Sequence, residues 1–260
     1  GLKFALNAGL NLAMEAQAGT SQFRIYPHVD FTYLVNDVYM IAYGGITGNT
    51  ERFSYQDLVK MNPFVGLRPD IRNLNNRFQF YGGVKGSIDE LTSYNVLINF
   101  QRLEQAVFFL NDTSDMSRLL PVYDSAANVF NIRAELSRKF GDRYAMHANI
   151  DWRNYGLSNL AAPFMQPTFA MRLGGSYALQ SKLRFSAEAV VFNGVAYLDA
   201  IGQQQSLNGV FDLNLGASYQ YSNQLNFFVN LNNVTSARYF RWFNYPTYGF
   251  NALGGLVLKF

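Results

Sequence analysis

Apolar and polar residues alternate along most of the chain. Leu2, Phe4, Leu6, Ala8, Leu10, Leu12 and Met14 interleave with Lys3, Ala5, Asn7, Gly9, Asn11, Ala13 and Glu15. A period of two puts successive side chains on opposite faces of a β-strand, so this stretch predicts a strand with one apolar face. After Ala18-Gly19-Thr20 a second strand sets Phe23, Ile25, Val29, Phe31 and Tyr33 against Arg24, His28 and Asp30. A third runs through Met40 and Ala42 to about residue 47. Strands near 77–87, 91–104, 128–139, 143–154, 168–179, 182–193, 210–221 and 224–233 follow, and 248–260 closes the series. That makes about twelve, each near the roughly 10 residues a tilted strand needs to cross a bilayer.

The connections carry a second pattern. Those at 35–38, 87–90, 140–143, 180–181 and 222–223 are tight, and between them lie long stretches at 48–76, 105–127, around 161–163, around 202–205 and at 235–246. A soluble sandwich has no reason to alternate short and long links. Outer-membrane barrels do, with short turns on the periplasmic side and long loops facing outward. The polar faces agree with one another: Arg133 and Glu135; His147, Asp151 and Arg153; Arg172; Arg184 and Glu188; Asp212 and Asn214. A lipid-facing Arg or Lys near the midplane costs about 2–4 kcal/mol, which gives this segregation an energetic reason. The fold expected is all-β: one antiparallel transmembrane barrel over residues 1–260, its first and last strands paired because an open edge in lipid leaves backbone groups unsatisfied.

Composition sharpens this picture. Charged residues are only 15% of the 260, against about 25% in soluble domains, while aromatics reach 16%. Mean hydropathy is -0.07, and no apolar run approaches the roughly 18 residues of a spanning helix. The absence of cysteine excludes a disulfide framework and thiol-bound metals. A net charge of +3 is too small to argue for nucleic acid as a partner. No signal peptide is visible, so an outer-membrane chain of this kind would be mature or trimmed.

Three segments carry a family resemblance. Residues 53–64 (FSYQDLVKMNPF) and 80–86 (FYGGVKG) look like stretches of the barrel of TonB-dependent outer-membrane receptors. Leu231-Asn-Asn-Val234, the aromatic loop and the 250–260 stretch look like that family's closing strand pair, and a terminal aromatic such as Phe260 resembles the signal read by the barrel-assembly machinery. The resemblance covers about a third of the chain. It implies a location in the outer membrane of a Gram-negative bacterium, with membrane lipid, the assembly machinery and other envelope proteins as partners. The family's barrel has 22 strands around an N-terminal plug. Here no plug is found and about half the strands are present, so the chain is either a small barrel or the C-terminal part of a larger one.

Candidate chemistry is sparse. The lumen-lining candidates are Arg24, His28, Asp30, Arg133, Glu135, His147, Asp151, Arg153, Arg172, Arg184, Glu188 and Asp212. A wider inward set of ten basic residues against six acidic ones favours anions if the lumen holds water; if the arginines pair with the acids, they fill it instead. Asp30 and Asp151 lie near the two histidines, but same-face residues on one strand are about 6–7 Å apart. No catalytic residue, metal site or cofactor is assigned. Gly82-Gly83, Gly174-Gly175 and Gly254-Gly255 are strand glycines rather than phosphate loops. In the last long loop Arg238, Tyr239, Arg241, Trp242 and Tyr245 are candidates for ligand binding, although anchoring at the outer membrane interface is the first expectation for such rings. The function expected is receptor- or porin-like, for solute passage or surface binding. A structural subunit of a larger envelope assembly and a lipase-like barrel enzyme are the alternatives.

Overall fold

The computed structural model of the chain describes residues 3–17, 20–36, 39–112, 115–180 and 182–259. In chain order its elements are β1 (Phe4–Gln17), β2 (Thr20–Asn36), β3 (Met40–Glu51), α1 (Tyr55–Met61), β4 (Leu74–Asp89), β5 (Thr92–Glu104), β6 (Ala106–Asn111), β7 (Leu119–Asp124), β8 (Ala127–Phe140), β9 (Tyr144–Gly156), β10 (Phe169–Leu179), β11 (Leu183–Asn193), β12 (Ala196–Leu198), β13 (Gln204–Ser206), β14 (Val210–Gln220), β15 (Leu225–Asn232), β16 (Phe240–Trp242), β17 (Tyr245–Pro246) and β18 (Asn251–Leu258). Twelve strands form one antiparallel sheet in the order β1-β2-β3-β4-β5-β8-β9-β10-β11-β14-β15-β18, the up-and-down wall that the alternation predicts.

Register carries the polar face from strand to strand. Asn95 stands opposite Glu135, Glu135 opposite Asn149, Asn149 opposite Arg172, Arg172 opposite Val190 and Val190 opposite Asp212. A slip of one residue anywhere would turn the following strands over. This polar face is the concave one. Tyr43 on β3 donates to Asn95 on β5 at 2.7 Å, and Arg24 on β2 reaches Glu104 on β5 at 3.0 Å. Neighbouring strands are about 4.7–4.9 Å apart, so side chains three strands away meet only where the sheet curves inward. On the convex face Leu12, Phe23 and Ile25 are 65%, 65% and 58% exposed. An apolar surface of that extent suits lipid rather than water.

Two cross-strand pairs of glycine and tyrosine let the wall pack tightly. In the β3–β4 register Tyr43 faces Gly83 and Gly45 faces Tyr81. A Cβ on Gly83 would lie 2.7 Å from Tyr43 Oη and closer still to the Val96 carbonyl oxygen. Gly82, on the other face, has its nearest neighbour at 3.8 Å.

Among the described residues β1 is laddered to β2 and β18 to β15. β18 is exposed on both faces.

The apolar core lies in the long loops. Leu58 of α1, Val107 and Phe109 of β6, Leu119 of β7, Met165 and Trp242 belong to one buried cluster. Ala106, Phe108, Ala162 and Phe164 belong to a second. β6 divides them, its alternate side chains entering opposite clusters, as a strand buried on both faces must. α1, β6–β7, β12–β13 and β16–β17 were unstructured loop in the sequence-based expectation. The helix starts at a capping box, Ser54 accepting from the Asp57 N–H at 3.3 Å while Asp57 accepts from the Ser54 N–H at 3.0 Å. These loops form a cap over one end of the wall. The β1–β2 connection at the same end is the short exception.

Candidate functional site

Alternation and register bring the lumen-lining candidates onto the concave face, where most settle into three charged groups. In the first, Arg24 lies between Glu15 at 3.8 Å and Glu104 at 3.0 Å. Glu104 also meets Arg77 at 3.5 Å and accepts from Asn75 at 2.5 Å. Sequence reasoning missed Glu104, because strict parity along β5 sends it to the apolar face. The ladder breaks down there: β4 has a register shift between Asn76 and Phe78, and Gln105 takes a positive φ of 61°. No sequence pattern announces either feature.

The second group joins His28 and Asp30. Their backbones are two residues apart on β2, yet the side chains lean together, with Nε2 to Oδ2 at 2.8 Å. Tyr81 donates a short hydrogen bond to Asp30, and His28 Nδ1 lies 3.3 Å from Thr47 Oγ1. Hydroxyl, imidazole and carboxylate thus stand in triad order. The β2–β3 ladder ends at Val29 and Ile46, so His28 and Thr47 meet just beyond it.

In the third group Asp151 takes Arg153 at 2.7 Å and Arg133 at 3.1 Å, and accepts from Asn131 at 3.2 Å. His147 turns away from Asp151 to Glu188 at 4.0 Å, and Arg172 joins Glu188 at 3.8 Å. Glu135 is within 3.5 Å of the Asn95 amide. Partly exposed pairs of this kind each contribute roughly 0–1 kcal/mol. Their chief effect is to neutralise the wall locally and hold long side chains against it. Arg184 stands apart, with no side-chain partner among the described residues. Among those residues no group of three or more His, Asp or Glu is placed to hold a metal ion.

The aromatic loop departs from the anchoring expectation. Trp242 is only 7% exposed and meets Phe109 edge-on at 6.2 Å. Tyr245 stacks on Phe64, and its hydroxyl donates to the Ser117 carbonyl. The rings turn into the cap because Asn233, itself buried, folds the loop back: its amide donates to Ala237 O at 2.7 Å and Tyr248 O at 3.0 Å. Arg241 lies over the rings of Phe192 and Trp242 at 5.2 and 5.1 Å. Its Nη1 is buried without a hydrogen-bond partner, and burial pulls its pKa down. Tyr239 donates to Asp212 at 2.6 Å; burial first, then that bond and the carboxylate's charge, push its phenol up to about 12. Arg238 remains exposed. Phe260 lies outside the described residues.

Asp124, also missed, fastens the cap internally. Fully buried, it accepts from the N–H groups of Ala126, Ser158, Asn159 and Leu160 at 2.9–3.1 Å. Burial opposes its charge, but the four amides prevail and hold the carboxyl below its usual value.

No family model matches the chain, and no curated protein does. Solved structures do. A copper transporter, OprC, superposes at a TM-score of 0.71 with 12% identity over 100% of this chain and 46% of its own. The pyoverdine outer membrane receptor FpvA from Pseudomonas aeruginosa PAO1 gives 0.72 with 14% identity over 99% of this chain and 40% of its own. The ferric-catecholate import receptor Fiu from K12 E. coli gives 0.73 with 12% identity over 99% and 42%. The fold is therefore that of a transmembrane β-barrel wall. More narrowly, it is similar to the barrel portion of these receptors and transporters, and the chain spans less than half the length of each of the three.

Proposed function

We propose that the chain is the C-terminal part of a receptor-like barrel in the outer membrane of a Gram-negative bacterium, serving solute passage or ligand binding at the cell surface. The observation that carries this is a folded cap of long loops above a charged concave wall with an apolar convex face. The similar structures are more than twice as long, which supports a larger barrel. Those proteins are transporters and receptors, which fits a binding or transport role rather than an enzyme. In this arrangement the cap faces outward, lipid covers the convex face, and Phe260 helps the assembly machinery recognise the closing strand.

The chain has no cysteine, so single cysteines report topology cleanly. Leu67 and Ile201 at the cap are 83% and 76% exposed, and Asp142 is exposed at the β8–β9 turn. In intact cells expressing the full protein, an impermeant maleimide should label Leu67→Cys and Ile201→Cys, and Asp142→Cys only after the outer membrane is opened. Labelling in the reverse order overturns the orientation, and labelling of all three in intact cells overturns the outer-membrane location. Deleting Phe260 should lower outer-membrane levels; an unchanged level removes its assembly role.

A further inference from the structure

We infer that the short-turn end of the concave wall carries a binding site for a small, multiply charged oxyanion of the phosphate class. Higher on the wall, Arg24, Arg77, Arg133, Arg153 and Arg172 each have a carboxylate partner. Lys182, Arg184 and Lys259 have none among the described residues, nor a side-chain hydrogen bond. All three line one pocket of about 280 Å³, between the β10–β11 turn, the β14–β15 turn and the end of β18, and no acidic side chain joins them there.

The fold brings them together from distant parts of the sequence. In register Arg184 stands opposite Ser218, and Asn226 opposite Val257, so these side chains share the inner face with Lys259. The β14–β15 turn beneath them is pinned by Ser222, whose hydroxyl accepts from the N–H groups of Gln224 and Leu225 at 3.2 and 3.1 Å. The pocket therefore has a fixed floor and a cationic rim. Three like charges gathered without a counter-charge among the described residues repel one another, and an anion bound between them relieves that repulsion. Arg184 offers a planar fork for two oxygens, the lysines act as point charges, and Ser218, Asn226 and Gln224 add neutral donors.

Size selects the class of occupant. At roughly 30 Å³ per water molecule, the pocket admits an ion of several heavy atoms with some hydration, not a folded partner. It opens on the concave face, away from the apolar surface, which favours a soluble anion over a lipid headgroup. The site needs only the wall to be folded and does not depend on whether the lumen conducts.

The test is titration of the full protein of which this chain is part, refolded in zwitterionic detergent, with pyrophosphate by calorimetry at low salt. Saturable binding that weakens as salt rises is expected. The K182Q/R184Q/K259Q variant should bind at least tenfold more weakly, while R68Q, an exposed cap arginine, should bind as the parent does. Heat-modified migration on gels checks that each variant is folded. If the triple variant does not fold, amide shifts in the unmodified protein decide: changes on residues 180–184 and 222–226 support the site, and changes elsewhere overturn it. No saturable binding, or full binding by a folded triple variant, also overturns it. Binding of an anionic phospholipid in mixed micelles without binding of pyrophosphate overturns the soluble-anion assignment.

Discussion

Asp124 shows what a single side chain contributes to the cap. Its charge is stabilised by four backbone N–H groups, and hydrogen bonds to a charged acceptor are worth about 1.5–3 kcal/mol. Asp124→Asn should therefore speed amide exchange at residues 158–160 by roughly 10–150-fold; unchanged exchange would show that the loop does not depend on the carboxylate. Because the folded pKa lies below the ordinary 3.8, this stabilisation is fully present above that value and is lost as pH falls through the folded pKa. The acid-induced rise in exchange should be absent in Asp124→Asn. Glycine gives a paired test on the wall. Gly83→Ala sets a Cβ against the Val96 backbone and the Tyr43 ring and should cost about 1–3 kcal/mol in urea unfolding, whereas Gly82→Ala should be near neutral. At this scale alternation disclosed which charges share the inner face, including Arg133 with Asp151. It did not disclose Glu104, which a bulge and a positive φ turn inward, or Asp124, three of whose four partners come from a loop more than thirty residues away.

The loop elements bring residues from distant segments into one core, and Trp242 on β16 is the test of that core. Trp242→Ala removes a ring buried against Phe109 and should destabilise the cap by about 3–5 kcal/mol. Protease should then cut the long loops faster while heat-modified migration of the wall is unchanged; loss of both would mean that cap and wall fold as one unit. Tyr239 ties the same loop to β14. Its folded pKa of about 12 stands above the ordinary 10, so its contribution is complete below pH 10 and is lost as pH rises towards 12. Ultraviolet titration of the parent minus Tyr239→Phe should show one phenol ionising late; a difference centred at pH 10 would refute the contact with Asp212. The wall strands were legible because each repeats a two-residue period over ten or more positions. The cap elements were not. β6 is a short run of continuous apolar residues, buried on both faces, and nothing local distinguishes it from a loop until its neighbours are known.

For the molecule as a whole, alternation yielded the number of wall strands and their order. Period two fixes which face each side chain takes, whereas closure depends on curvature and shear accumulated over the sheet. If further strands complete the barrel, as proposed, single cysteines introduced along residues 4–15 should not form disulfides with partners along 251–258 in the membrane-inserted protein. Efficient cross-linking would establish a closed twelve-strand ring. The cap has a further implication for the order of assembly. Trp242 packs against Phe109 of β6, and their cluster also holds Phe192 of the wall strand β11, both far earlier in the chain. Contacts so far apart in sequence form late and slowly, so the cap stays unfinished until segment 239–246 has docked. Until then the long loops remain loose and open to protease, and closing them is a step that the wall strands cannot complete alone.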